Sequence, residues 1–188
     1  MKEEAMASIT DKRKITYADY LKIDDNNRYE IFHGELHMVP APSPDHQGVS
    51  MNLGTLLWSW VKGKRLGRVF NAPTDVIFDD DEIFQPDIIF IRNENKSIIG
   101  RNAIQGTPDL IIEIISPSSS FYDTVEKKEI YRKYGVKEYW LVFPDEKAIE
   151  ILTLEKGSYS EFCRSKKEGI VKSRIIEGLE IDLKDIFE

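Results

Sequence analysis

The sequence predicts a mixed α/β fold with a core of order α-β-β-β-α-β over residues 44–143. Three observations predict it. Two apolar runs, 88–91 and 110–115, have the length of buried strands. An amphipathic helix follows Ser43-Pro44, and a second helical segment, 123–134, gathers its inward residues in one arc. Strand-sized runs interleaved with helix-period segments make helices packed on a sheet.

The elements follow in chain order. Residues 1–14 read as a flexible leader and 15–188 as a single domain. Thr16–Leu21 reads as a short helix capped by Thr16. Residues 29–32 and 35–38 form a β-hairpin across His33-Gly34. In that register Ile31 and Leu36 share the apolar face, and Glu30, Phe32, Glu35 and His37 share the other. Solvated hairpin residues are the commoner meaning of such a face, with Glu30 kept as a candidate supporting acid. Ser43 caps the next helix, with proline first and Asp45 in the first turn. Val49, Leu53, Leu56, Leu57 and Trp60 then recur at helical spacing up to Lys62-Gly63. His46, at its start, is either a surface histidine or a hydrogen-bonding residue beside a cleft. Strands are expected at 68–78, 87–91 and 110–115, then the helix 123–134 and a strand at 138–143. Residues 147–154 and 158–165 make a hairpin across Lys156-Gly157, and 178–187 a terminal strand and turn.

The chemistry concentrates in three residues. Asp87 opens one apolar run and Glu113 sits alone inside the other. A carboxylate among isoleucines is expensive to desolvate, so each needs a cation or donors. If the two runs pair antiparallel about a turn near residue 100, residue 87 falls opposite residue 113. Asp109, in the second Pro-Asp pair, fails this test, because it lies about 13 Å from Glu113 along one strand at ~3.3 Å per residue. At 100° per residue, Asp123, Lys127, Ile130, Tyr131 and Tyr134 fall in one arc, away from Lys128, Glu129 and Arg132. A right-handed crossover lays that helix over the strand carrying Glu113, so Lys127 and Glu113 are natural partners. Two acids and a lysine point to a divalent-metal site that cuts phosphodiesters. The bland alternative is a buried ion pair with no chemistry.

Composition narrows the class. The chain has 188 residues, 41% hydrophobic and 11% aromatic, which suits a globular core. A single cysteine, Cys163, excludes an internal disulfide and fits a reducing, cytoplasmic setting. The polar first fourteen residues and strand-sized apolar runs leave secretion and membrane spanning unexpected. A net charge of −7 argues against nonspecific coating of nucleic acid but allows contact in a local cleft. The basic clusters Lys62, Lys64, Arg65, Arg68 and Lys166, Lys167, Lys172, Arg174 are candidates for phosphate contacts, although solvated loop charge is the commoner reading.

Many short motifs in one order carry a resemblance. They are Tyr29-Glu30-Ile31 with Gly34-Glu35-Leu36, Pro42-Ser43-Pro44 with His46-Gln47, Ala72-Pro73 with Asp75-Val76, and Gln85-Pro86-Asp87. Pro108-Asp109-Leu110 with Glu113 and Ser116-Pro117, Asp123 with Lys127 and Tyr131, and Gly135-Val136 with Glu138-Tyr139-Trp140-Leu141-Val142 complete the series. The succession, from about residue 15 to the C-terminus, resembles the Uma-two family in the PD-(D/E)XK nuclease superfamily. The resemblance implies a restriction-endonuclease-like mixed sheet and magnesium-dependent phosphodiester cleavage, with Asp87 and Glu113 as the signature acids. Ile115 stands where the superfamily usually has its lysine, and Lys127 takes that place from the following helix.

On those terms Asp87 and Glu113 are expected to hold Mg²⁺ or Mn²⁺ with the backbone carbonyl of Ile114. Lys127 is expected to orient the attacking water or stabilise the phosphate. Glu30, His46 and Gln85 are expected at the rim, with Tyr131 beside Lys127 and Asp123 as a cap or first-turn acid. The expected partner is nucleic acid, DNA before RNA. A homodimer through Trp58, Tyr159 and Phe162 is a further expectation. A nuclease fold that binds without cutting is the alternative.

Overall fold

A computed structural model of the chain describes residues 13–117 and 119–188. The expected leader lies, for residues 1–12, outside the described residues. The chain begins with α1 (Tyr17–Tyr20), capped by Thr16 in a capping box with Asp19. The hairpin β1 (Arg28–Phe32) and β2 (Glu35–Val39) follows, then α2 (Pro44–Lys64) capped by Ser43. Next come β3 (Gly67–Asn71), β4 (Val76–Asp79), β5 (Glu82–Phe84), β6 (Ile88–Arg92), β7 (Ile104–Gln105) and β8 (Leu110–Ile114). A π-helical turn, Tyr122–Lys127, runs directly into α3 (Lys128–Tyr134). The remainder is β9 (Glu138–Phe143), β10 (Ala148–Glu155), β11 (Ser158–Lys166), β12 (Ile170–Lys172), β13 (Glu180–Asp182) and α4 (Lys184–Phe187).

Six strands form the central sheet in the order β11-β10-β9-β8-β6-β3. Its pairs are antiparallel except β8 with β9, which the helical crossover makes parallel. The hairpin belongs to a second sheet, β2-β1-β5-β4-β7. Strand alternation gives the central sheet two buried faces. Ile88, Phe90, Ile112 and Ile114 meet Val49, Leu53, Leu57 and Val61 of α2. On the other face Ile111, Tyr139 and Leu141 meet Ile130 and Tyr131 of α3, and Ile89 and Ile91 meet Val76 and Ile104. Burial on both sides explains why these strands read as unbroken apolar runs.

β6 and β8 pair antiparallel with Ile88 opposite Ile112 and Ile89 opposite Ile111. One step further, that register sets Asp87 across from Glu113. Asp109 is held elsewhere: its carboxylate accepts from the Arg92 N–H at 2.9 Å, from Asn95 at 3.3 Å and from Lys137 Nζ at 2.9 Å. It stitches the β6 turn to the start of β9.

Two details differ from expectation. Residues 68–78 form two strands rather than one. Pro73 between them has no N–H for a ladder, and β4 leaves the central sheet to pair with β5 and β7. The connection about the turn expected near residue 100 is itself structured, containing a 3₁₀ turn, Asn93–Ile98, and the strand β7.

Candidate active site

The helical turn after β8 brings a lysine into the interior. Lys127 is buried, with its ammonium 3.0 Å from Glu30 Oε1, 3.1 Å from Glu113 Oε1 and 3.2 Å from Asp123 Oδ1. Tyr131, one turn on, donates its hydroxyl to Glu113 Oε1 at 2.7 Å. The three protons of the ammonium therefore face three carboxylates from three elements: β1, β8 and the π-helical turn. A tight junction of this kind fixes how the hairpin, sheet and crossover helix meet.

Asp87 closes the site on the α2 side. Its Oδ2 accepts the Ile114 N–H at 2.8 Å and lies 3.2 Å from His46 Nε2. His46 reaches it because the Ser43 cap starts α2 beside the end of β6, with the His46 N–H bonded to Ser43 Oγ. Gln85 lies on the third side. Its N–H donates to Glu30 Oε1 at 2.8 Å, and its side-chain amide donates to Asp75 Oδ1 at 2.8 Å.

The hairpin face read as solvated is covered except at Glu35, which stays exposed. Phe32 and His37 pack on Tyr122 with ring centroids 5.4 and 5.5 Å away, so the helical turn covers that face and Glu30 is buried with it. Asp123 does more than expected. It is the first-turn acid of the π-helical segment, as expected, but it is also buried and ion-paired with Lys127 at i,i+4. Its signal was present in the sequence, because it shares the arc of Lys127. For Glu30 the signal was hidden, because no local pattern tells which face of a hairpin another element will cover.

Acid outweighs base here. Four carboxylates, Glu30, Asp87, Glu113 and Asp123, share Lys127 and the imidazole of His46. Burial first, then the charges of Asp123, Asp87 and Glu30, hold the Glu113 carboxyl well above its usual range despite Lys127. Burial also opposes the Lys127 ammonium, but Glu113, Glu30 and Asp123 outweigh it and raise that group well above its ordinary value.

Among the described residues, no group of three or more His, Cys, Asp or Glu side chains is arranged to hold a metal by itself. The donors expected for an ion are Asp87, Glu113 and the Ile114 carbonyl, the first two set across from each other by the β6–β8 register. The hydrogen bonds described here engage Oδ2 of Asp87 and Oε1 of Glu113. All the donors are oxygen, which fits a hard divalent cation that keeps part of its water shell.

The architecture is shared with a crystal structure at 1.96 Å resolution from Anabaena variabilis, described as a "putative nuclease belonging to DUF820". The two superpose with a TM-score of 0.76 at 23% identity, over 92% of this chain and 97% of that one. The likeness establishes the restriction-endonuclease-like mixed α/β fold. The protein sll1609 of Synechocystis, described as uncharacterized, is 26% identical over 141 residues, covering 73% of this chain and 79% of its own length. The family model described as "Putative restriction endonuclease" matches residues 17–184, and the chain belongs to that family, Uma2.

Proposed function

We propose that the protein is a metal-dependent endonuclease that hydrolyses DNA phosphodiester bonds at the Asp87, Glu113 and Lys127 site. The observation that carries this reading is the excess of carboxylate over cation at one end of a buried sheet. Asp87, Glu113 and the Ile114 carbonyl would hold Mg²⁺ or Mn²⁺, which when bound acidifies water and offsets charge on the transferring phosphoryl group.

The chain's own residues supply the rest. Ile114 N–H and His46 aim the Asp87 carboxylate, and Tyr131 and Lys127 aim that of Glu113. Lys127 would face an attacking water or a phosphate oxygen by giving up one of its three carboxylates. Gln85 and Glu30 fix the hairpin side of the site through the bond between them. A homodimer, with one site for each strand, is part of the same reading.

The test is cleavage of plasmid, linear duplex and single-stranded DNA with Mg²⁺ and Mn²⁺, beside Asp87→Ala and Lys127→Ala. Loss of cleavage in both variants is expected. Cleavage that survives Asp87→Ala sinks the assignment. A second reading, a nuclease fold that binds without cutting, draws on the full commitment of the Lys127 protons. Metal-dependent binding of DNA without any cleavage would favour it.

A further inference from the structure

The cluster Lys62, Lys64, Arg65 and Arg68 is not scattered loop charge. The C-terminal end of α2 and the edge strand β3 bound a cleft of about 480 Å³ lined by Trp58, Lys62, Arg65, Arg68, Phe70 and Asn93. Lys62 Nζ rests 4.2 Å from the centroid of the exposed Trp58 ring, and Lys64 Nζ sits equally close over Trp60. The rings hold both ammonium groups in place without neutralising them. Arg65 is the C-cap of α2, and Asn93 donates to its carbonyl at 2.6 Å. At Gly67 a Cβ would come within 2.1 Å of the Ile91 carbonyl oxygen, so only glycine lets β3 begin against β6.

The charge of this cleft is unspent. Arg13, Lys14, Arg92, Arg132 and Arg164 all sit against carboxylates. Among the described residues, none of Lys62, Lys64, Arg65 and Arg68 does so, although the chain carries a net charge of −7. No acid lines the cleft. On α2, exposed Met51, Thr55, Trp58 and Lys62 recur at helical spacing, so one open stripe runs from the His46 end to the cleft.

We infer that this cleft is a second nucleic-acid contact, binding backbone phosphates of the same DNA that enters the acidic site. It rests on the nuclease reading for the identity of the ligand. Register sets the spacing. Arg68 pairs with Ile91, four residues from Asp87 along β6. That is about 13 Å at ~3.3 Å per residue, or about four base pairs at ~3.4 Å each. The phosphates it grips lie to one side of the bond cut. An acidic metal site repels DNA until a cation is bound, and a detached basic anchor supplies the attraction that the site itself lacks.

The experiment measures binding of a fluorescently labelled duplex across a salt series, in chelator and again with Ca²⁺. It compares wild type with the triple variant Lys62→Ala, Arg65→Ala, Arg68→Ala. These side chains are exposed, so an unchanged melting temperature verifies folding. Removing three phosphate contacts should weaken binding by roughly tenfold or more at moderate salt and lower the slope of log K against log salt by about 2 to 3. Equal affinity and slope in the two proteins, or no binding by wild type under either condition, overturns the inference. A slope difference without cleavage by wild type leaves this contact standing and removes the nuclease reading. Cleavage with identical slopes does the reverse.

Discussion

The backbone N–H of Ile114 donates to Asp87 Oδ2 at 2.8 Å, tying the acid that precedes β6 to the strand that carries Glu113. The bond orients one carboxylate oxygen by main chain alone. Asp87→Ala should therefore fold, since it empties a partly exposed position. Mn²⁺ should stabilise wild type by about 2.7 kcal/mol at a hundredfold excess over Kd, and Asp87→Ala should lose that gain. Thermal melts with and without Mn²⁺ check this, and equal stabilisation of both proteins would refute it.

Lys127→Met should be among the costliest single changes in the chain. It leaves Glu30, Glu113 and Asp123 buried without their ammonium, a loss of about 3–5 kcal/mol by analogy with broken buried pairs. Adding Glu113→Gln should recover only part of it, because two carboxylates remain. Urea denaturation of the single and double variants measures both values. Full recovery in the double variant would mean that only Glu113 matters to the lysine.

Asp109→Asn separates the two Pro-Asp pairs. Asp109 accepts from Arg92, Asn95 and Lys137, so the change should cost about 1–3 kcal/mol of stability. The response to Mn²⁺ should be untouched. A variant that folds normally yet no longer responds to the metal would place Asp109 in the site.

His46 predicts a pH dependence. Burial disfavours its imidazolium, but the hydrogen bond and charge of Asp87 outweigh that, and its pKa is raised. A group with a raised folded pKa adds stability that is fully present below the unfolded value, about 6.5. That stability is lost as pH rises through the folded pKa. Metal-free melting temperatures should thus fall across the neutral range in wild type, and His46→Gln should flatten that part of the curve. Parallel curves would contradict the assignment.

Much of the architecture was legible in the sequence. Two apolar runs about one turn were enough to set residue 87 across from residue 113, and the register of β6 and β8 continues to that pairing. Helical phase placed Lys127 inward because Ile130, Tyr131 and Tyr134 fall on its arc and leave few choices. What stayed hidden depended on distant cover. Nothing local to Tyr29-Glu30-Ile31 says that Tyr122 will close over Phe32 and His37, and nothing near Pro73 says that β4 will join a second sheet. The basic cluster was visible as composition, but its assembly with Trp58 around a cleft needed the meeting of α2 with β3.

The meeting of Glu30, Glu113 and Asp123 on one ammonium has a consequence for valence. With every group ionised, two formal negative charges remain around Lys127, and Asp87 adds a third beside it. A sodium or potassium ion would leave most of that excess in place. Lanthanides, with three charges and the same taste for oxygen, should displace Mn²⁺ competitively, and terbium luminescence excited through Tyr131 or Tyr139 would report the exchange directly.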